Sequence, residues 1–491
     1  MKRRDLIRSS LGLAALWPVA NLFADGQSAP SVIPAKTLSG TTASLHSREL
    51  QDLANSMRGE LVLPNQRGYD DARRVWNGMF NQQPALIARC TSASDVMRAV
   101  DFARAHQLLT AVRAGGHSLS GKSTCDGGIV IDVSPMRSVR VDPKQRVARV
   151  DGGALLQHLD HETRAFGLVT TTGTVSHTGA AGLTLGGGLG RVGRRFGLAC
   201  DNLKSVDVVV ADGRLLTASS EQNADLFWGL RGGGGNFGVA TSFEYQLHAM
   251  DSTVLGGAIA WPIAQARDVL RFHAEFSINA PDELNLDCAL SSTPEGGLIV
   301  LEVCWSADHA RGERVLAPLR SFGAPAFDKI RPMPYLELQS GSDRRLAHGI
   351  RFYGKSGFAT TLTPQLIDRL VDVFISVPPG TFSIVIQHAG GAAGRPPVSA
   401  TAFPNRHANY WIMLSKSWTN PTEDAQRLQV LRGAWKSIEP LTSGLYVNAM
   451  TDDERARVAS NYGGNYPRLQ QLKRKYDPGN QFRLNANVMP T

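Results

Sequence analysis

The chain has 491 residues, of which 42% are hydrophobic and 19% are charged, and its formal net charge is +9. Its length allows two to four ordinary domains, and its composition is typical of a globular protein, not of a disordered one. The positive charge is not concentrated in a basic block, which argues against a nucleic-acid partner. Five cysteines, an odd number without a Cys-x-x-Cys pair, argue against a zinc site and against a disulfide framework. We therefore expect no metal site.

The first 24 residues have the pattern of an export signal. Four Lys and Arg side chains, including the pair Arg3 and Arg4, precede the apolar run Leu11–Ala20, which is too short to span a membrane comfortably. The basic segment resembles a twin-arginine signal. We expect residues 1–24 to direct the protein to the periplasm or the medium, and we do not expect an integral membrane protein. Residues 25–47, rich in Ser, Thr, Ala and Pro, are predicted to form a linker.

Between residues 48 and 250, predicted helices and strands are separated by glycine-rich loops. In the first of these helices, Val96, Ala99, Val100 and Ala103 recur at helical spacing. The predicted helices are Ser94–His106 and Leu155–Phe166. The predicted strands are Leu109–Arg113, Gly128–Val133, Val147–Val150, and the hairpin strands Val206–Ala211 and Leu215–Leu216.

From about Thr253 the pattern changes to a sheet with covering helices. The predicted strands there are Leu298–Cys304 and Ser383–Gln387. The predicted amphipathic helices are Gln265–Ser277, Pro364–Phe374 and Pro421–Lys436. A final stretch, Tyr462–Pro490, is rich in Asn, Tyr and Arg and has few long apolar runs.

A glycine-rich loop, Ala114–Ser118, directly follows the strand that ends at Arg113. Its paired glycines allow backbone N–H groups to approach a pyrophosphate without interference from Cβ atoms. His117, next to this loop, is a competent nucleophile towards an electrophilic methyl group when its imidazole is neutral. Taken alone, a Gly-Gly-His sequence favours the simpler interpretation of a histidine in a tight turn.

Two further segments combine glycines with hydroxyl groups or aromatic residues. Residues 172–190 carry hydroxyls and glycines but few charges, which suits phosphate binding through N–H and O–H donors. Within that segment, His177 is either a polar site residue or a structural histidine. The second segment contains four consecutive glycines, Gly232–Gly235, whose entropic cost indicates that a neighbouring group requires them. The flanking Trp228 and Phe237 argue against a flexible linker.

Together these segments make the chain similar to the berberine-bridge-enzyme-like family of FAD-linked oxidases, which share the vanillyl-alcohol-oxidase type of flavin fold. The matching segments are Val112–Gly121, Gly179–Asp201, Asp225–Val239, Thr401–Arg406, Tyr446–Asn448, Asn465–Leu469 and Tyr476–Asn487. The resemblance implies an α+β fold.

The resemblance also implies how this fold divides along the chain. A PCMH-type FAD-binding domain would occupy 48–250, with its core at about 80–250. A substrate domain with an antiparallel sheet covered by helices would occupy 251–446. A C-terminal berberine-bridge-like segment, 447–491, would return to the FAD domain.

The same resemblance implies FAD as cofactor, bonded covalently to His117 through the flavin 8α position. Many family members carry a second bond from a Cys, and the matching position here is Thr172, so a single bond is expected. The other residues expected against the cofactor are Arg113, Ala114, Gly115, Gly116, Ser118, Thr172, Thr174, Val175, Gly179, Gly182, Gly187, Gly188, Gly190, Val239, Asn485 and Asn487.

The catalytic base departs from the family pattern. Some plant members place a Glu base where this sequence has Met413, which cannot accept a proton. Lys416 lies further along the same strand, and a solvated lysine is the simpler interpretation. Tyr446 matches a tyrosine that approaches the substrate in family oxidases, so it is the predicted catalytic residue. To accept a proton at neutral pH, a phenol would need a cationic or hydrogen-bonding neighbour that stabilises the phenolate, and Lys416 and Arg351 are the candidates.

The implied reaction is hydride transfer from a carbon of an alcohol, sugar or amine to FAD. The partners would be a small-molecule substrate and either O₂ or another electron acceptor. Two alternatives remain at this point. One is a covalent flavoprotein without turnover, used for binding or electron storage. The other is a secreted sugar-binding domain, which would carry no flavin.

Overall fold

The computed structural model describes residues 32–293, 296–452 and 455–490. The predicted signal peptide, residues 1–24, lies outside the described residues. The described part of the predicted linker, however, forms a β-hairpin of Val32–Lys36 with Thr42–His46. The linker prediction was wrong for this part, because alternate apolar residues such as Ile33, Ala35 and Leu45 are buried in a hydrophobic core. Ser39, Thr41, Thr42 and Ser44 between them are exposed, whereas Thr37 is buried.

In the first half of the chain short strands alternate with helices, and in the second half most strands belong to one large sheet. In chain order they are β1 Val32–Lys36, β2 Thr42–His46, β3 Glu60–Val62, β4 Leu86–Arg89, β5 Thr110–Arg113, β6 Ile129–Asp132, β7 Val139–Asp142, β8 Val147–Asp151, β9 Leu168–Val169, β10 Leu203–Val210, β11 Leu215–Ser219, β12 Gly238–Gln246, β13 His248–Ala249, β14 Thr253–Pro262, β15 Leu284–Thr293, β16 Gly296–Trp305, β17 Phe327–Asp328, β18 Arg331–Pro334, β19 Arg351–Ala359, β20 Ser383–His388 and β21 Tyr410–Trp418.

The α-helices are mostly short. In chain order they are α1 Ser47–Ser56, α2 Tyr69–Arg73, α3 Ala93–Ala105, α4 Leu156–Arg164, α5 Ala180–Leu185, α6 Gly193–Phe196, α7 Ala224–Leu230, α8 Ala266–Ile278, α9 His309–Arg320, α10 Tyr335–Gln339, α11 Pro364–Ile375, α12 Asp424–Ile438, α13 Arg455–Tyr462 and α14 Tyr466–Tyr476. Within the described ranges, no helix combines the length and the hydropathy that a membrane crossing requires.

The first half of the chain builds two sheets around helix α3. A four-stranded sheet has the order β3-β4-β6-β5, and a five-stranded antiparallel sheet has the order β11-β10-β12-β8-β7. The apolar face of α3, with Val96 and Val100, packs in one core with Ile131 of the first sheet and with Val209 and Val239 of the second. Strand β5 therefore ends at the boundary between the two sheets, where the loop that follows it carries His117.

The second half is an antiparallel sheet in the order β17-β14-β16-β15-β20-β21-β19, with β18 also paired to β14. Helices α8, α11 and α12 bury their apolar sides against one face, where Leu286 and Ile386 belong to the main core. Because side chains alternate along a strand, Asp287, Gln387 and Trp411 lie on the opposite face. This face is directed towards the first half of the chain, and the predicted α+β architecture with a helix-covered antiparallel sheet is confirmed.

Buried cations join the two halves. Arg194 donates to three carbonyl oxygens of the second half, those of Leu284 (2.9 Å), Ala389 (2.7 Å) and Ala280 (3.0 Å). Its neighbour Arg191 forms an ion pair of 3.3 Å with Glu302 of β16. These contacts hold the segment that follows α5 against the large sheet.

A further buried cation attaches the chain after α14 to the glycine run. The Nζ of Lys473 is inaccessible to solvent and donates to Asp477 (2.6 Å), to the carbonyl oxygen of Asn236 (2.8 Å) and to that of Phe482 (2.9 Å). An uncompensated ammonium group would be very costly at this position, and the three acceptors satisfy it. Residues 482–486 are thereby held beside Gly232–Gly235.

Candidate active site

Two glycine-rich loops are in direct backbone contact at the end of β5. A Cβ atom added to Gly115 would lie 2.4 Å from the nitrogen of Gly179, and one added to Gly179 would lie 2.6 Å from the nitrogen of Gly115. Both positions therefore require glycine for packing. The contact brings the loop that carries His117 beside the segment that enters α5.

A cavity of about 390 Å³ lies above this contact. Four parts of the chain line it: the loop after β5, the segment 173–189 with helix α5, the glycine run with residues 482–486, and the polar face of the large sheet with residues 446–450. The described residues that line the cavity include no Asp or Glu, and their one cation is Lys122. The Nζ of Lys122 donates to the carbonyl oxygen of Asn485 at 2.9 Å.

His117 lines the cavity with its imidazole stacked on Trp76. The two ring centroids are 4.2 Å apart and the rings are inclined by 16°. The Nε2 atom is buried and has no hydrogen-bond partner among the described residues. Burial, reinforced by the nearby imidazoles of His177 and His348, lowers the pKa of His117 to about 3. The imidazole is therefore neutral and nucleophilic at physiological pH.

The protein groups around this cavity fit FAD. A Cβ atom added to Gly182 or Gly235, both of which line the cavity, would meet no protein atom within 4 Å. These glycines thus leave space that a side chain would fill. Ser123 Oγ and Asn485 Oδ1 also line the cavity and are buried without a partner among the described residues. Orphaned polar atoms, open glycines and an unpaired imidazole are what a dinucleotide with a ring system would occupy.

The structure brings most of the predicted site residues to this cavity. Those in its lining are Ala114, Gly115, Gly116, His117, Ser118, Thr174, Val175, Gly179, Gly182, Tyr446 and Asn485. The predicted residues that are outside the lining are Arg113, Thr172, Gly187, Gly188, Gly190, Val239 and Asn487.

Thr172 is turned away from the cavity. Its hydroxyl is 1% exposed, donates to Asp160 at 3.0 Å and accepts from the amide of Gln339 at 2.9 Å. Burial raises the pKa of Asp160 to about 7. The side chain at position 172 is thus part of a polar cluster beneath the cavity wall.

The other predicted glycines outside the lining are required by packing. A Cβ atom at Gly188 would lie 2.4 Å from that of Ala199, and one at Gly190 would lie 1.8 Å from the carbonyl oxygen of Thr172. Arg113 donates to the carbonyl oxygen of Ala72 and so packs outside the cavity. The close packing of Gly188 and Gly190 fixes the position of Leu189, the residue between them.

Tyr446 lies on the cavity side of the large sheet. Its phenol oxygen accepts hydrogen bonds from the Leu189 N–H (3.1 Å) and from Asn448 Nδ2 (3.0 Å). Its ring contacts Trp411 edge to face, with 5.6 Å between the centroids. Burial raises the pKa of Tyr446 although both donors oppose the shift. Because the oxygen already accepts two bonds, its own proton is left to donate into the cavity.

The cationic neighbours proposed for Tyr446 are engaged elsewhere. Arg351 donates to Asp424 and to the carbonyl oxygen of Gly78. Burial and the nearby Arg427 lower the pKa of Lys416, which is not among the residues lining the cavity. Met413 is buried in an apolar cluster with Trp76 and Phe352, as a side chain that cannot accept a proton.

The sequence did not predict every residue of the cavity lining, and two that it omitted, Gln387 and Trp411, lie on the large sheet. They are paired across β20 and β21, and both line the cavity. The indole N–H of Trp411 is buried without a partner in the described part of the chain. The strand pattern carried a signal for Gln387, because its position alternates with the buried Ile384 and Ile386.

The fold and the cavity together define a flavin-dependent oxidoreductase whose candidate active site is lined by both halves of the chain. Two family models match: an FAD binding domain over residues 84–219, and a berberine and berberine-like domain over residues 445–489. The chain belongs to the berberine-bridge-enzyme-like family of FAD-linked oxidoreductases. FAD as the cofactor and FAD-linked oxidoreductase as the class of enzyme, both predicted from the sequence, are confirmed.

Similar proteins agree over nearly their whole length. An FAD-linked oxidoreductase of Dictyostelium discoideum is 32% identical over 445 residues, which cover 90% of this chain and 97% of that protein. The (R)-6-hydroxynicotine oxidase of Paenarthrobacter nicotinovorans is 31% identical over 453 residues, which cover 89% and 97%. The crystal structure of 6-hydroxy-D-nicotine oxidase from Arthrobacter nicotinovorans superimposes with a TM-score of 0.82 at 28% identity and covers 89% of this chain and 99% of its own.

A substitution that fills the cavity should separate cofactor binding from folding. The Cβ atom of a leucine at Gly182 would meet no protein atom within 4 Å, and the residue lines the cavity, so the free energy of unfolding of the flavin-free chain should stay within about 1 kcal/mol of that of the wild type. FAD binding should weaken roughly 10- to 100-fold, because the side chain overfills the site. Titration of the flavin-free protein with FAD measures this. Gly433→Leu, in an exposed and equally open position of α12, should leave FAD binding unchanged; unchanged binding by Gly182→Leu would contradict the assignment of the cavity.

Proposed function

We propose that this FAD-dependent oxidoreductase carries its flavin on a single covalent bond to His117 and oxidises an alcohol, sugar or amine carbon of a small molecule. The observation that carries the proposal is the state of His117: neutral, unpaired at Nε2 and exposed to the cavity. A neutral imidazole is the form that can attack carbon. Reoxidation is by O₂ or by another acceptor.

A single bond is supported by the position of Thr172. Its hydroxyl is a weak nucleophile that is hydrogen-bonded to Asp160 and Gln339. It is also absent from the lining of the cavity. No Cys occupies the matching position, and the five cysteines of the chain are all buried.

The bound flavin supplies a two-electron acceptor for a hydride from the substrate carbon. The protein supplies the orientation. Tyr446 can donate its proton to a heteroatom of the substrate, since its oxygen is fixed by Leu189 and Asn448. Trp411 offers an unpaired N–H and an aromatic edge, and Gln387 offers an amide beside it. On the side of the large sheet, a bound substrate would therefore face uncharged hydrogen-bond donors.

The relative that oxidises a hydroxynicotine supports the amine among the three substrate classes. A neutral amine uses its lone pair to stabilise the carbon that loses a hydride, so it need not lose a proton first. An alcohol needs a base for its hydroxyl proton, and the described lining contains no carboxylate. Tyr446, Trp411 and Gln387 argue against a flavoprotein without turnover. All three line the cavity, and their polar groups would serve to bind a substrate beside the flavin.

Export of the folded protein is part of the proposal. The pair Arg3 and Arg4 precedes an apolar run, and the twin-arginine route carries folded proteins. A flavin that is bonded inside a closed cavity requires folding before export. Export by the twin-arginine route is therefore compatible with attachment of the flavin before export.

The covalent bond is tested by acid precipitation. Flavin should remain with washed, precipitated wild-type protein and should be released from His117→Ala, because the nucleophile is removed. Thr172→Ala is the matched control and should keep its acid-stable flavin. Acid-stable flavin in His117→Ala, or a peptide map with two attachment points, would contradict a single bond to His117.

The role of Tyr446 is tested by anaerobic flavin reduction with an oxidised substrate. Tyr446→Phe keeps the ring contacts and removes the hydroxyl, so reduction should slow roughly 100-fold. Since burial raises the pKa of Tyr446 above its ordinary value of about 10, the phenol is protonated at all lower pH values. The wild-type rate should therefore show no ionisation of Tyr446 below about pH 10. Tyr353→Phe, outside the cavity, should reduce at the wild-type rate, and the same rate in Tyr446→Phe would leave Tyr446 a packing residue.

Export is tested by replacing both Arg3 and Arg4 with Lys. The precursor should then accumulate in the cytoplasm with its flavin bound, as detected by fractionation and flavin fluorescence. The single substitution Arg8→Lys should leave export intact. Unchanged export of the double variant would indicate another route.

A further inference from the structure

Three imidazoles form a row that leads from the cavity to the surface. The ring centroids of His117 and His177 are 5.1 Å apart, and those of His177 and His348 are 5.0 Å apart. Nε2 of His117 and both ring nitrogens of His177 make no hydrogen bond within the described residues, so a proton would pass along the row by way of bridging water. His348 is exposed to solvent. The row therefore connects the proposed flavin-bearing histidine with bulk water.

The middle imidazole has no structural partner. Both ring nitrogens of His177 are buried without a hydrogen bond among the described residues. Other enclosed histidines differ: Nε2 of His273 bonds the carbonyl oxygen of Leu286 at 2.9 Å, and Nε2 of His248 bonds Asn202 at 2.6 Å. A histidine with both nitrogens unpaired, between two other imidazoles, is available to accept and pass on a proton.

The row is held from two sides by the loop that follows α10. Ser176, the residue before His177, donates its N–H to Asp343 at 2.9 Å. Trp76, on which His117 is stacked, donates its indole N–H to the carbonyl oxygen of Leu346 at 2.7 Å and accepts the Gly349 N–H at 2.9 Å. This loop of the second half of the chain thus fixes Ser176, the neighbour of His177, and Trp76, on which His117 is stacked.

Formation of the proposed covalent bond between His117 and the flavin requires a proton acceptor close to His117. The nitrogen of His117 bonds to the methyl carbon of the flavin, one methyl C–H bond breaks and the N–H bond breaks. The electron pair of the C–H bond passes to the flavin ring, which takes up one of the two released protons. The other proton needs a base. Molecular oxygen then takes two electrons and one proton from the reduced ring and a second proton from solvent, and leaves as hydrogen peroxide, which restores the oxidised ring.

We propose that His177 accepts the proton released as His117 bonds to the flavin, and passes it through His348 to solvent. The proposal rests on the covalent bond proposed above. Burial and the adjacent imidazole of His177 lower the pKa of His348, so this outer imidazole can release the proton to water. After the bond has formed, His177 has no further part in turnover, which gives its loss a specific signature.

The test is the rate at which flavin becomes acid-stable. Full-length protein from flavin-starved cells is mixed with FAD in air, and acid-precipitable flavin is followed with time. His177→Ala and His177→Gln should incorporate flavin roughly 100-fold more slowly, while fluorescence titration gives wild-type non-covalent binding of FAD. Added imidazole should restore the rate of His177→Ala, because it fits the space of the missing ring. His161→Ala, an exposed histidine on α4, is the matched control and should behave as wild type.

The outcomes are distinguishable. Wild-type rates in both His177 variants, or slow rates that imidazole leaves unchanged, would overturn the role of His177 as proton acceptor. Once flavin has been attached slowly, His177→Ala should turn over like the wild type, and a persistent defect would also contradict the proposal. A wild-type chain without acid-stable flavin would contradict the His117 bond itself, and this result is read from the wild type alone.

Discussion

Gly115 and Gly179 bring two loops into backbone contact, and the functional parts of the cavity are arranged around that contact. Neither position has room for a Cβ atom. The contact sets the distance between the loop of His117 and the entrance of α5, so it also sets the row of imidazoles and the open space at Gly182. An alanine at either glycine would force the loops apart before any chemistry were affected.

The segment from Gly188 to Arg194 transmits this arrangement to the large sheet. At one end, the N–H of Leu189 fixes the phenol of Tyr446. At the other end, Arg194 donates to three carbonyl oxygens of the second half of the chain. Tyr446 and the contact between the two halves therefore depend on one short stretch of backbone, whose glycines are required by close packing. This explains how residues outside the cavity can still control its geometry.

Local patterns predicted the elements better than they predicted side-chain directions. The predicted helix Pro364–Phe374 agrees with α11 because a Thr363 cap and a helical period are local features. The direction of Thr172 depends on Gln339, which is 167 residues away in the chain. Gln387 and Trp411 depend on cross-strand register. The early hairpin was taken for a linker because Pro34 stands between Ile33 and Ala35, and because the turn and the second strand are rich in Ser and Thr.

Lys473 ties residues 482–486 to the glycine run, and this connection fixes an order of events during synthesis. The cavity wall formed by Leu484, Asn485 and Ala486 is made long after the loop of His117 has left the ribosome. Until then this side of the cavity is open, and a flavin that enters could leave again. We therefore expect stable retention of the cofactor only once the polypeptide has been made past residue 486.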